Sequence, residues 1–186
     1  MIVSFTGAQS TGKTTLLNEL KRWKELEDYV FIDEITRNVS KLGMKINEKG
    51  DDATQTAIMN AHIENLRKGD NLILDRCSLD GVVYTHYLYL HGKVSRDTFD
   101  YARQVFLETC LRYDKIFYLK PEFDIVDDGV RSSSVQFRDE IASIFERYIA
   151  EFNLKKHNIV ELSGSVEERL EAIKRVINAT VKEAQQ

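Results

Sequence analysis

The stretch IVSFTGAQSTGKTTLLNEL, residues 2–20, decides the fold of this chain. Its first five residues are apolar or β-branched apart from one serine, a composition typical of a buried strand. The segment GAQSTGKT, residues 7–14, matches the pattern G-x-x-x-x-G-K-[ST], and leucines at helical spacing follow it. A strand, this loop and a helix in that order are the arrangement that binds the phosphates of a nucleotide. The stretch therefore predicts a phosphate-binding loop at the start of an α/β fold.

The chemistry of this loop assigns a role to most of its residues. Glycines let the backbone curl so that successive N–H groups point at phosphate oxygens, and the following helix adds its positive end. We expect Lys13 to reach the β- and γ-phosphates of ATP and to act in catalysis, and Thr14 to place its hydroxyl on Mg²⁺. The predicted nucleotide-binding residues are Gly7, Ser10, Thr11, Gly12, Lys13, Thr14 and Thr15.

Four further apolar runs follow, at residues 29–32, 72–75, 116–119 and 159–162. Each run is bounded by polar or glycine residues, as buried parallel strands are. The segments between them carry the apolar spacing of helices. Strands that alternate with helices predict an α/β fold, in which a five-stranded parallel sheet is flanked by helices on both faces. Because no repeat or linker interrupts the pattern, residues 1–186 are predicted to form a single domain.

The composition is that of an ordinary globular protein, with 42% hydrophobic and 30% charged residues. This balance excludes a disordered chain and a disulfide-stapled scaffold. Two cysteines predict free thiols in a reducing compartment. No run reaches the length needed to cross a bilayer, and no basic leader precedes the first strand, so we expect no membrane association and a cytoplasmic protein.

The net charge bears on the partners of the protein. A formal charge of −4 provides no electrostatic footprint for non-specific binding of duplex nucleic acid. A nucleic-acid partner is therefore not favoured, although a local basic groove is left open. The sequence also leaves open whether the chain forms a homodimer.

The third predicted strand ends in a carboxylate beside an arginine, Asp75 and Arg76. Ligands of open α/β sheets gather at the carboxyl ends of the strands, so both side chains are expected near the phosphate loop. We predict that Asp75 is catalytic and holds Mg²⁺ or orients the substrate hydroxyl. Arg76 can bind an anionic group of the substrate with its bidentate fork. The structural alternative is that Asp75 only caps the next helix.

Two more acids, Asp33 and Glu34, follow the second predicted strand. Phosphoryl transfer to a hydroxyl needs a carboxylate that orients the hydroxyl and takes its proton late. Both acids are candidates for this catalytic base. Arg37, three residues after Glu34 on the same helical face, is predicted to bind the acceptor. The alternative is a helix N-terminus at which the helix dipole favours acids.

Residues 121–138 are predicted to form a lid, since a long irregular segment in a compact α/β domain often covers an active site. The aspartates of this segment lack the final glutamate of a calcium loop. We expect Arg131 to swing onto the γ-phosphate and to act in catalysis, where such an arginine contributes about 10³–10⁵ in rate. Arg138 is a second candidate for contact with the nucleotide, or else an exposed residue at the start of a helix.

The segment DRCSLD at residues 75–80, followed by Tyr84, resembles the Asp-Arg-Tyr/Ser segment of thymidylate and deoxynucleoside kinases. A fuller resemblance, in order along nearly the whole chain, is to the NadR-type ribosylnicotinamide kinases, a family with an AAA-type ATPase/kinase domain. Their loop pattern, their Glu-x-x-Arg and their Asp-Gly-x-Arg-Ser correspond here to residues 10–14, 34–37 and 128–132.

This resemblance implies a five-stranded nucleotide-kinase core with a mobile lid. It favours Glu34 as the base and implies that Asp80 and Tyr84 join Arg76 in the substrate site. The ring of Tyr84 is also suited to stack on a base. Because no segment is assigned to nicotinamide recognition, the resemblance supports a kinase more firmly than it supports any one acceptor.

We therefore predict an ATP- and Mg²⁺-dependent phosphotransferase whose partner is a small-molecule nucleoside or nucleotide acceptor. Three alternatives stay open. They are a nicotinamide riboside kinase specifically, a kinase of modified bases or ends in DNA, and a regulatory P-loop ATPase without a small-molecule acceptor.

Overall fold

In the computed structural model, which describes residues 1–122 and 134–184, five parallel strands form one sheet. The strands are β1 Ile2–Thr6, β2 Val30–Ile32, β3 Leu72–Asp75, β4 Lys115–Leu119 and β5 Ile159–Leu162. Their order across the sheet is β2-β3-β1-β4-β5, and every neighbouring pair is parallel. The first strand of the chain is therefore the central strand of the sheet.

The described residues contain seven α-helices, of which the first six lie between strands and the last follows β5. They are α1 Lys13–Leu20, α2 Ile35–Lys41, α3 Asp52–Asn65, α4 Ser78–Leu90, α5 Arg96–Thr109, α6 Val135–Glu151 and α7 Val166–Ala184. Short 3₁₀ turns lie at Lys24–Leu26, Asn47–Lys49, Cys110–Arg112 and Leu154–Lys156. Side chains at the helix starts supply acceptors for otherwise unpaired N–H groups, as Asp51 does for Thr54 at α3 and Ser95 for Thr98 at α5.

The side chains of the sheet divide between two hydrophobic cores. On one face, Val3 and Phe5 of β1 pack with Leu16 of α1 and Ile173 of α7. On the other face, Ile2 belongs to a larger core built with residues of α3, α4, α5 and α6. Because helices cover both faces, the strands are apolar almost throughout. The predicted α/β fold is confirmed, and the predicted strands agree with the observed ones to within one residue at each end.

The order of the strands brings three connections to one edge of the sheet. Phe5 in β1 lies opposite Asp75 in β3, and Ile32 in β2 lies opposite Leu74 in β3. The phosphate loop after β1 therefore leaves the sheet beside the segments that follow β2 and β3. This edge, at the carboxyl ends of parallel strands, is where open α/β sheets bind ligands.

Two further sequence expectations concern the thiols and the membrane. Cys77 and Cys110 are both free, as the sequence predicts, and both are buried. Within the described ranges, no helix combines the length and the apolar character needed to span a bilayer.

Candidate active site

The loop between β1 and α1 takes backbone conformations that glycine adopts readily. Gly7 has a φ of 137° and Gly12 a φ of 89°, both in the region that other residues disfavour. A Cβ atom at Gly7 would also collide with the carbonyl oxygen of Leu119 at the end of β4. The loop therefore lies tight against the central strands and leads into the N-terminus of α1, the positive end of the helix dipole, which favours an anion.

The side chain of Lys13 is hydrogen-bonded to the loop itself. Its ammonium group donates hydrogen bonds to the carbonyl oxygens of Gly7 at 2.9 Å and Ala8 at 2.7 Å, and to the Thr11 hydroxyl at 3.1 Å. Only 3% of Lys13 is exposed. This burial and, to a smaller extent, the charge of Arg76 lower the pKa of Lys13 from 10.5 to about 7. Nucleotide phosphates would have to replace the contacts that Lys13 makes with the loop.

Asp80, in the first turn of α4, joins the end of β1 to the start of α4. One of its carboxylate oxygens accepts hydrogen bonds from the Thr6 hydroxyl at 2.7 Å and the Cys77 amide at 2.9 Å. The other oxygen accepts from Arg76 at 3.0 Å. The carboxylate of Asp80 is thus fully engaged with protein groups, and the structure gives it a positioning role for Arg76. A contact between Asp80 and the substrate stays a prediction.

Arg76 links the candidate base to the phosphate loop. Its Nε donates to Glu34 at 2.6 Å, and one of its terminal nitrogens donates to the Gly7 carbonyl oxygen at 3.2 Å. The guanidinium lies over the ring of Tyr84, 5.3 Å from its centroid. The backbone φ of Arg76 is 81°, a strained value for a residue with a side chain, and such strain persists where the surroundings fix it, often at functional sites.

The two acids after β2 point in different directions. Glu34 precedes α2, is buried, and lies 2.6 Å from Arg76 and 3.4 Å from Arg37. The Asp33 side chain is 82% exposed and pairs with Lys21 at 3.2 Å. The structure therefore places Glu34, which also contacts Arg37, in the network around the phosphate loop. The Asp33 side chain instead points to solvent.

Asp75 is a candidate ligand for a cation in this region. Its Oδ1 is buried and has no hydrogen-bond partner among the described residues. Burial raises the pKa of Asp75, and the negative charge of Glu34 raises it further. A buried acceptor without a donor costs roughly 1–3 kcal/mol, and a bound cation would offset this cost.

The residues present fit a magnesium ion held in part by a nucleotide. Mg²⁺ in kinase sites takes one or two protein ligands together with water and substrate phosphates. Asp75 and the hydroxyl of Thr14, which is exposed on the first turn of α1 like Thr15, form such a donor set. Over residues 1–122 and 134–184 there is no cluster of three acidic, His or Cys side chains that could hold a metal by itself. A metal here would therefore depend on phosphate oxygens.

A cavity of about 590 Å³, measured with its opening to solvent, adjoins this network. Its walls come from the phosphate loop, α2, α3 and α4, and its lining residues are Gln9, Glu34, Ile35, Thr36, Asn47, Gln55, Ile58, His62, Arg76, Asp80, Gly81 and Tyr84. Of the predicted substrate residues, the structure brings Glu34, Arg76, Asp80 and Tyr84 into this one cavity, while Arg37 lies beside it.

Sequence reasoning missed three buried residues of the site. Gln9 and His62 line the cavity, and each is 2% exposed. Arg169 of α7 donates to the Thr11 carbonyl oxygen at 2.8 Å and to Glu122 at 2.7 Å, so it connects the phosphate loop to α7. The loop motif leaves position 9 unspecified, and nothing in the sequence distinguishes Arg169 from a solvent-facing residue on a charged helix.

The predicted lid is only partly described. Arg131 lies outside the described residues, so its role on the γ-phosphate stays a prediction. Residues 135–138 of the predicted lid belong to the first turn of α6. In that turn, Arg138 lies 3.1 Å from Asp139.

A comparison with family models gives one match, described as an AAA domain, over residues 2–169. A comparison with curated proteins found no significant match.

Solved structures with the same fold include two kinds of protein. Deoxyadenosine kinase from M. mycoides with the products dCMP and dCDP is 16% identical, with a TM-score of 0.68 over 96% of this chain and 99% of that chain. A NadR protein in complex with NR is 23% identical, with a TM-score of 0.75 over 96% of this chain and 51% of that chain. A NadR complex with NAD and AMP-PNP is 20% identical, with a TM-score of 0.69.

These likenesses show the fold, which is that of P-loop nucleotide kinases, as the sequence predicts. The chain spans about half the length of the NadR chains that it matches.

Proposed function

The chain belongs to the AAA-domain family whose model matches residues 2–169, and from this membership and the geometry of the site we propose that it is a kinase. It transfers the γ-phosphate of ATP, with Mg²⁺ present, to a hydroxyl group of a nucleoside. The observation that carries the proposal is the position of Arg76, which contacts Glu34 at 2.6 Å and the Gly7 carbonyl oxygen at 3.2 Å. One side chain thus connects a candidate base to the phosphate-binding loop.

The residues divide the work of the reaction between donor and acceptor. The loop amides and Lys13 hold the terminal phosphates of ATP, and bound Mg²⁺ would neutralise charge that develops on them. Glu34 orients the acceptor hydroxyl and takes its proton late in the transfer. Arg76 and Asp80 keep the Glu34 carboxylate in place, so that reacting groups meet in the right orientation. Catalysis in this account is mostly positioning and charge neutralisation.

The charges around the cavity favour an uncharged acceptor over a nucleoside monophosphate. Among the described lining residues the only cationic side chain is Arg76, which is already paired with the carboxylates of Glu34 and Asp80. A phosphate acceptor would bring further negative charge beside these two acids. It would also need no carboxylate to take a proton, since its attacking oxygen is already ionised. Both points support a hydroxyl acceptor.

A direct test offers the protein Mg²⁺·ATP with a panel of ribonucleosides, deoxynucleosides, nicotinamide riboside and the matching monophosphates. Mass spectrometry of the products should show a phosphorylated nucleoside and no phosphorylated monophosphate. Phosphorylation of monophosphates alone would overturn the choice of acceptor. Consumption of ATP with no phosphorylated acceptor would instead favour the P-loop ATPase alternative.

A further inference from the structure

Gln9 is an unusual residue of the phosphate loop because its buried side chain makes no hydrogen bond to the described residues. It lines the cavity and is 2% exposed. Neither its Oε1 nor its Nε2 has a hydrogen-bond partner there. The neighbouring polar side chains of the loop differ, since Thr11 and Lys13 both make hydrogen bonds to the loop itself.

A second residue that lines the same cavity also has a buried polar atom without a partner. The Nδ1 atom of His62, on α3, has no hydrogen-bond partner among the described residues, and the residue is 2% exposed. Burial lowers the pKa of His62 to about 4. The imidazole is therefore neutral near pH 7 and has one nitrogen that donates and one that accepts. Two residues that line one cavity, from the loop and from α3, thus have neutral polar groups without a hydrogen-bond partner among the described residues.

Such groups lower the stability of a folded protein. A buried polar atom without a partner loses its hydration and gains no hydrogen bond in return. An apolar side chain of the same size at position 9 would avoid this loss. Buried polar groups without partners are rare in proteins and call for a functional reason. A ligand that enters the cavity and supplies the missing partners is such a reason.

The chemistry of the two side chains defines what the ligand must present. An amide offers one donating and one accepting group, and a neutral imidazole does the same. Neither carries a charge, and the charged residues of the cavity, Glu34, Arg76 and Asp80, are already paired with one another. The complementary ligand group is therefore uncharged and both donates and accepts hydrogen bonds.

We propose that Gln9 and His62 form a recognition subsite for the acceptor, in which they hydrogen-bond an uncharged donor-and-acceptor group of the nucleoside. This inference rests on the proposed kinase function. The group is either a sugar hydroxyl or an amide-like edge of the base, since both have the required chemistry. The phosphate loop thus serves both substrates, with its backbone and Lys13 on the nucleotide and its Gln9 side chain on the acceptor.

The test uses the full chain with substitutions that keep the size of the side chain. Gln9→Met and His62→Leu remove the polar atoms, and Gln104→Met makes the same chemical change at an exposed position of α5. We expect kcat/KM for the nucleoside to fall about 10- to 100-fold in Gln9→Met and His62→Leu, because polar groups of the bound acceptor lose their partners. KM for ATP should stay within twofold of that of the unmodified protein, and Gln104→Met should change neither quantity.

Melting temperature provides an independent readout of folding. Because Gln9→Met removes two unsatisfied polar atoms, its melting temperature should equal or exceed that of the unmodified protein. A glutamine that binds no ligand predicts an equal or higher melting temperature with no change in kcat/KM for the nucleoside, and this pair of results would overturn the proposal. Equal losses for nucleoside and ATP would also overturn it, because they would indicate general damage to the loop.

Nucleoside analogues separate the two sources of the recognised group. Analogues that lack the 2′- or the 3′-hydroxyl test the sugar, and analogues that lack one polar edge atom test the base. The analogue without the recognised group should be a poor substrate for the unmodified protein and should lose little more with Gln9→Met. If, for every analogue, the fold-loss from the missing group and the fold-loss from Gln9→Met multiply, Gln9 contacts none of these groups and the proposal fails. If the unmodified protein phosphorylates no nucleoside, the proposed function fails first, a result distinct from those above.

Discussion

At the scale of single residues, the reaction depends on which carboxylate faces the phosphate loop. Glu34 is held by Arg76, whereas Asp33 pairs with Lys21 at the surface. We expect Glu34→Gln to lower kcat at least about 100-fold, because the amide cannot take the proton of the acceptor hydroxyl. Asp33→Asn is the matched control and should stay within twofold. Steady-state kinetics with the phosphorylated nucleoside checks both, and equal losses would refute the assignment of Glu34.

The buried ammonium of Lys13 predicts that nucleotide binding takes up protons. The free protein holds Lys13 with a pKa of about 7, against 10.5 in its ordinary state, so at about pH 8 most of it is neutral. Phosphate oxygens favour the charged form, and binding should therefore take up nearly one proton. In the unfolded chain Lys13 stays protonated up to its ordinary pKa of 10.5, whereas in the folded protein it loses its proton near pH 7. The contribution of Lys13 to the free energy of unfolding therefore rises with pH between these two pKa values.

Calorimetry measures this proton uptake directly. An ATP analogue is titrated at about pH 8 in buffers of different ionisation enthalpy, and the observed heat should depend on the buffer. Lys13→Met should abolish the dependence along with turnover. A heat that is the same in every buffer for the unmodified protein would show that Lys13 is already charged.

Asp75 carries a separate prediction because its buried Oδ1 has no donor in the described structure. Asp75→Asn should lower Mg²⁺-dependent turnover more than it lowers nucleotide affinity, since it removes the proposed metal ligand and leaves the loop intact. The melting temperature should not fall, because a neutral amide is easier to bury than a carboxylate. A titration of kcat with Mg²⁺, together with calorimetric affinity for ATP, tests this. Unchanged turnover would remove Asp75 from the site.

At the scale of elements, Asp80 fixes the start of α4 against the end of β1. Its carboxylate accepts from Thr6, Cys77 and Arg76. Asp80→Asn removes the charge from a buried ion pair, which costs about 3 kcal/mol, or a fall in melting temperature of roughly 6–12 °C for a domain of this size. Asp97→Asn, exposed in the first turn of α5, is the control and should change the melting temperature little. Loss of acceptor binding at an unchanged melting temperature would instead support a direct substrate contact.

The elements were largely predictable from the sequence because their signals are local. Buried parallel strands are continuous apolar runs, so β1, β3 and β5 have the predicted bounds. The start of α7 carries an equally local signal, since Ser165 and Glu168 have the spacing of a capping box and each accepts a hydrogen bond from the amide of the other. The exposure of the Asp33 side chain could not be predicted from the sequence, because the directions of adjacent side chains after a strand depend on tertiary packing.

At the scale of the whole molecule, the sheet order assembles the site from distant parts of the chain. β1 lies between β3 and β4, so Gly7, Glu34 and Arg76 converge although they are far apart in sequence. The motif and the strand ends predicted this convergence. The sequence could not predict the burial of Gln9 and His62 or the contact of Arg169 with the loop. Burial by a neighbouring element does not show in local residue patterns.

The fate of the γ-phosphate tests the central claim most directly. The protein is incubated with Mg²⁺·ATP and a nucleoside in water enriched in ¹⁸O, and the products are analysed by mass spectrometry. The account predicts a phosphorylated nucleoside whose phosphoryl group carries no solvent oxygen, with little free phosphate. Release of the phosphate only as inorganic phosphate with one ¹⁸O atom, and no phosphorylated nucleoside, would contradict it.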